Sequence, residues 1–303
     1  MKKFFSTVYH LLKNTLAVLL ENDPLRMAGA TSFFTTFALP PIIIIIIRTL
    51  GIFFNKRSLG RQIFEKLNEV IGRESAEQVI TTIRSFRALQ HNWLITAGSF
   101  IFLLFIATTL FRVIKNSLNQ IWDIRIAAKR NIKQRFSSRI NSIVIILFTG
   151  ILFLGVLLAD GLQSIIGEYF IKIAPVTTYY INAVFSQLVS IIVVTLWFFV
   201  LFMYLPDGRP APKVALAGAL VTGILFTIGK LLVRMLLSQG NLGSLYGTSG
   251  AMVFLLLFVF YSSLILYFGA AFTKAWGRHT GRPIHPLAHA ARYRIKPVNI
   301  DDD

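Results

Sequence analysis

Three cations stand where cations are expensive. Arg48 follows an uncharged run that begins at Met27, and Lys230 and Arg234 are four residues apart, on one face if that stretch is helical. A charge held at mid-bilayer costs on the order of 3 kcal/mol on insertion scales, so it needs a partner, a polar cavity or a route to the interface. Two readings fit the three residues. They can snorkel to a membrane surface and pair with Asp160 and Glu168. Alternatively they can form a basic pocket for the phosphate of a lipid or another anion, a task suited to Arg where a bidentate grip is available. A second set is Thr31, Ser32, Thr35 and Thr36, followed by Pro40 and Pro41. A Pro pair removes helix hydrogen bonds and frees carbonyls, which predicts a helix break with a polar lining of the kind that holds substrates in transporters; a packed kink is the plainer alternative. A third place is the outer loop through Tyr246 and Gly247, read as either a short re-entrant turn or a simple connector.

Hydrolytic chemistry finds little to work with. Metal-dependent hydrolysis needs clustered His and carboxylates. Of the five histidines, His10 and His91 are isolated, while His285 and His289 are separated from a common helical face by Pro283 and Pro286. Neither a Gly-x-Ser-x-Gly elbow nor a Gly-x-x-x-x-Gly-Lys loop occurs, and the absence of Cys removes thiolate chemistry and disulfides. The basic run Arg125–Arg139 offers only Trp122 and Phe136 as nearby stacking rings, a poor platform for single-stranded RNA. No catalytic residue, metal or cofactor is therefore expected. The expected partners are membrane lipids, including an anionic lipid or lipid-linked precursor, rather than nucleic acid.

The elements that must position these residues are helices in lipid. Of 303 residues 55% are hydrophobic and only 15% charged, well below the quarter or so of a soluble domain. The expected class is all-α and polytopic, with six spans at about 25–53, 93–112, 140–159, 178–205, 213–237 and 250–273. Residues 1–22 read as an amphipathic interfacial helix, 23–275 as the membrane domain and 276–303 as a basic cytoplasmic tail. Asp23 and Pro24 suit the start of the first span. The apolar residues of 54–92 fit two further amphipathic helices, and Ala215, Ala219 and Gly223 form a stripe for close helix packing.

Loop charges orient the bundle. Lys and Arg collect in 1–26, 113–139, 206–213 and the tail, whereas 160–177 carries Lys172 alone and 238–249 carries none. Alternate sides then place both termini in the cytoplasm. The segment 54–92 departs from this pattern, with seven Lys or Arg on the outer side.

Motifs along the spans resemble the YihY/BrkB family of bacterial inner-membrane proteins, once labelled ribonuclease BN. They include Ala30-Thr31-Ser32-Phe33-Phe34 leading to Leu39-Pro40-Pro41, and Leu118-Asn119-Gln120-Ile121-Trp122. Tyr204-Leu205-Pro206, Gly218-Ala219, Tyr246-Gly247 and Gly269-Ala270-Ala271 follow in order, from about residue 20 to 275. The resemblance implies a six-helix protein of the inner membrane. It also implies a role in moving lipids or lipopolysaccharide precursors, with the nuclease label mistaken. The residues favour a translocator of an anionic amphiphile, followed by a structural scaffold without transport, with a membrane-bound hydrolase or nuclease third.

Overall fold

The computed structural model describes residues 2–50, 56–88, 93–126, 148, 151–152, 155, 175–239 and 250–293. Its described helices are α1 (Lys2–Leu20), α2 (Pro24–Leu50), α3 (Lys56–Ile71), α4 (Arg73–Ala88), α5 (Trp93–Ile121), α6 (Pro175–Tyr204), α7 (Pro212–Gln239) and α8 (Gly250–His279). Within them, Pro24–Ile44, Gln187–Tyr204, Pro212–Leu232 and Met252–His279 are long and apolar enough to cross a membrane. The second expected span forms part of α5. The third, 140–159, lies almost wholly outside the described residues.

Two helices run further than expected. α5 continues past 112 to Ile121 because Ile114, Leu118 and Ile121 keep one buried face through its last turns. α8 continues past 273 to His279, with Lys274 and Ala275 buried in the added turns. A third difference corrects an expectation: α2 passes through Pro40 and Pro41 without a break. The two missing N–H groups free carbonyls one turn back, yet the turns around them are held. The Thr36 hydroxyl donates to the Ser32 carbonyl at 2.9 Å, and Ala38, Ile43 and Ile47 are buried in the core. Packing on α5 and α8 outweighs the local loss.

α3 and α4 form a hairpin turned at Gly72, whose φ of 79° is open to glycine. Leu59 and Ile63 of α3 and Ala76, Val79 and Ile83 of α4 join the core shared with α2 and α8. Their outer faces carry the i, i+4 pairs Arg61–Glu65 and Arg73–Glu77 at 3.1 and 2.9 Å.

α8 organises the bundle. α2 packs on α5 and α8, α7 packs on α6 and α8, and α1 lies along α8. The α7–α8 contact is an antiparallel interlock between two copies of one pattern, Gly218-Ala219-Leu220-Val221-Thr222 and Gly269-Ala270-Ala271-Phe272-Thr273. Each glycine lies under the other helix's threonine: a Cβ on Gly218 would meet Thr273, and one on Gly269 would meet Thr222. Each threonine hydroxyl donates to the carbonyl of its own glycine at 2.7 Å. Small residues permit the approach and the back-bonded hydroxyls leave no donor stranded. The anticipated stripe takes part: Ala215 and Ala219 are fully buried, and Gly223 turns to α6, beneath Thr195.

At one end of the bundle the chain knits its connections together. The start of α2 meets the end of α5, where Arg26 donates to Gln120 at 3.5 Å. β1 (Ile124–Ile126) pairs antiparallel with β4 (Ala290–Arg292), and β2 (Gly208–Arg209) with β3 (His285–Pro286). The segment after α8 therefore adds a strand to each of two earlier connections.

Candidate ligand-binding site

Lys230 lies inside an apolar helix and is half-buried at the α6–α7 contact. Its ammonium donates toward Ser190 Oγ of α6 at 3.5 Å. Further along the same contact, Thr227 is back-bonded to Gly223 at 2.9 Å. Thr195 Oγ1 is buried there without a hydrogen-bond partner among the described residues. This polar seam runs behind two greasy stripes. Leu188, Ile192 and Leu196 of α6 and Leu220, Ile224 and Ile228 of α7 are exposed at i, i+4 spacing, an apolar surface suited to lipid tails.

The other expected site residues distribute as follows. α2 and α7 each pack on α8. The side chains of Arg48 and Arg234 lie outside the described residues, as do Tyr246 and Gly247. Thr31 and Ser32 are buried, and Thr31 shares a hydrogen bond with the buried Tyr267 hydroxyl of α8. Ser32 and Thr35 donate back to carbonyls of their own helix at 2.9 and 2.7 Å. These groups tie α2 to itself and to α8, and none of them lines the cavities described below.

The knitted end holds two polar centres that the sequence did not single out. In the first, Asp207, only 1% exposed, sits in the turn between α6 and α7. Asn119 brackets it, donating to Oδ2 and accepting from the Asp207 backbone N–H, each at 2.8 Å. Lys115 and His289 Nε2 both reach Oδ1 at 2.8 Å, and the Leu287 N–H donates to the Asp207 carbonyl at 2.8 Å. Burial by itself pushes this carboxyl up. Hydrogen bonds from Lys115, His289 and Asn119, together with the Lys115 charge, outweigh it and hold the group below the usual carboxylate range. His289 thus serves Asp207, while His285 stands in β3. Among the described residues no group of three His or carboxylates could hold a metal ion.

In the second centre, Asp123 adopts φ of 57° just after α5. Lys274 donates to the Ile121 carbonyl at 2.6 Å and pairs with Asp123 at 2.8 Å, while Arg278 reaches the same carboxylate oxygen at 3.3 Å. The Trp122 indole donates to the Ala270 carbonyl at 3.0 Å, fixing the chain against α8. Beside them opens a cavity of about 310 Å³. Two larger hollows flank this end, about 660 Å³ between α1 and α8 and about 640 Å³ beside β1. The signals that could have found these centres were Asp207 as an isolated carboxylate between two spans and Lys274 directly after a span.

Residues 15–294 match the family model described as Virulence factor BrkB. No curated protein and no solved structure matches the chain.

Proposed function

From the premise that the chain belongs to the virulence factor BrkB family of membrane proteins, we propose that it translocates an anionic lipid or another anionic amphiphile across a bacterial inner membrane. The observation that carries this reading is Lys230, a cation retained within an apolar helix and backed by Ser190, behind a face open to lipid tails. Such a seam can offer a headgroup a charge and hydroxyls while the acyl chains stay in the bilayer. Arg234, one turn further along α7, extends the same role. The reading assigns no catalytic residue and no cofactor.

In sealed vesicles the purified protein is expected to speed the crossing of a fluorescent anionic phospholipid, read by quenching of the outer leaflet. Lys230→Ala should slow it by roughly tenfold, the worth of one charge-assisted hydrogen bond. Crossing no faster than in protein-free vesicles would remove the translocator. The scaffold reading would then stand, favoured by the close α7–α8 interlock and the fully bonded Asp207 turn. Orientation is tested separately. A reporter fused after residue 296 should report cytoplasm and one inserted near Asn241 the opposite side. Reversed signals would overturn the placement of both termini.

A further inference from the structure

We propose that the cavity beside Asp123 is a binding site for a doubly charged phosphate, the terminal phosphate of a monoester, at the knitted end of the bundle. Its floor is built from buried groups, Trp122, Lys274 and Ile284, and its rim from Arg278, Arg292 and Tyr293. Lys274, Arg278 and Arg292 line the cavity together with one carboxylate, Asp123. Asp123 offsets a single charge, because both Lys274 and Arg278 converge on its Oδ2. The lining carries a formal balance of two positive charges, with Glu21 acting on Lys274 from outside it, and a phosphate dianion would offset more of that balance than a diester.

Donors remain for that task. The Arg278 side chain is 60% exposed and spends one guanidinium nitrogen on Asp123 at 3.3 Å. Arg292 gives one nitrogen to the Ile284 carbonyl and presents the rest of its fork at the rim. Two guanidinium groups at one opening suit the bidentate grip that phosphate oxygens favour. The volume, about 310 Å³, lies at the small end of ligand pockets and fits a compact headgroup. Basic pockets between membrane helices are known to bind phosphate-bearing lipid headgroups.

The site stands apart from the Lys230 seam, and its test is equilibrium binding, which needs no translocation. The intact protein in detergent is titrated with inorganic phosphate, and in nanodiscs it is compared between phosphatidic acid, a monoester, and phosphatidylglycerol, a diester. Saturable binding is expected, with phosphatidic acid preferred over phosphatidylglycerol. Arg278→Gln should weaken it by roughly tenfold, and Arg278→Gln with Arg292→Gln by more. Lys213→Gln, an exposed charge loss in the first turn of α7, should leave it unchanged. Free phosphate that binds and displaces the lipid identifies a soluble monoester as ligand, whereas lipid binding untouched by free phosphate identifies a headgroup site; both support the pocket. Equal losses for Lys213→Gln and Arg278→Gln would reduce it to general surface charge, and the absence of saturable binding to any of the three probes would overturn it. Arg278→Gln alone keeps the test open should the double variant fail to fold, because Arg278 is an exposed rim residue.

Discussion

Asp207→Ala is expected to destabilise the detergent-solubilised protein by about 3–5 kcal/mol, the usual loss when one partner of a buried ion pair is removed. The change leaves Lys115 half-buried without its carboxylate, strips Asn119 of an acceptor and frees His289. Thermal unfolding followed by intrinsic fluorescence measures it. Lys115→Ala in the Asp207→Ala background should cost far less than Lys115→Ala alone, since the stranded charge is then gone. Asp207→Asn keeps the shape and loses the charge, so it should fall between wild type and Ala. The pH dependence has a definite sign. The folded-state carboxyl titrates below its ordinary value of 3.8, so its contribution is fully present above about pH 4 and fades as pH falls through the depressed value. The stability gap between wild type and Asp207→Asn should therefore hold level at neutral pH and close only in strong acid. A gap of less than about 1 kcal/mol at pH 7 would show that the turn is held by other contacts.

Gly269→Ala carries the second large effect. The new Cβ would stand 2.9 Å from Thr222 Cβ and 3.3 Å from Phe202 Cζ, and closer still to the Thr222 hydroxyl. That hydroxyl is bonded to the Gly218 carbonyl at 2.7 Å and has no free swing, so the helices themselves must part. Overpacking of this kind costs about 1–3 kcal/mol. Thr222→Ala in the same chain should recover most of it, and the mirror pair, Gly218→Ala with Thr273→Ala, should behave alike. A single Gly269→Ala variant as stable as wild type, by the same unfolding measurement, would show that the interlock is looser than its geometry.

Hydropathy carried the outline of the bundle. The expected limits of the first, fourth, fifth and sixth spans lie close to α2, α6, α7 and α8, because twenty apolar residues can be accommodated in few other ways. The run through Pro40 and Pro41 was harder, since local chemistry argued for a break and packing with α5 and α8 prevailed. The polar centres were hidden for a different reason. Asp207 meets Asn119 across 88 residues and His289 across 82, distances over which spacing is silent. In one dimension Lys115 and Lys274 look like orienting charges only, yet each ends at a specific carboxylate. The Gly-Ala-x-x-Thr pattern repeats in the sequence, but nothing in one dimension says that two copies face each other. Several motifs that carried the family resemblance fall at this end. Asn119 holds Asp207, Trp122 holds Ala270, and Leu205 and Pro206 are buried beside the turn.

The strands that follow α8 bear on the order in which the molecule is made. Residues 285–292 leave the ribosome after every described helix, yet they complete pairings begun at Ile124 and Gly208 much earlier. Until they arrive, β1 and β2 have open edges and Asp207 lacks both His289 and the Leu287 N–H. The segment works as a clasp that closes only on a chain already threaded through the membrane. A nascent protein stalled before it would display unpaired strand edges and a half-bonded acid, which is the kind of surface that quality-control proteases and chaperones engage.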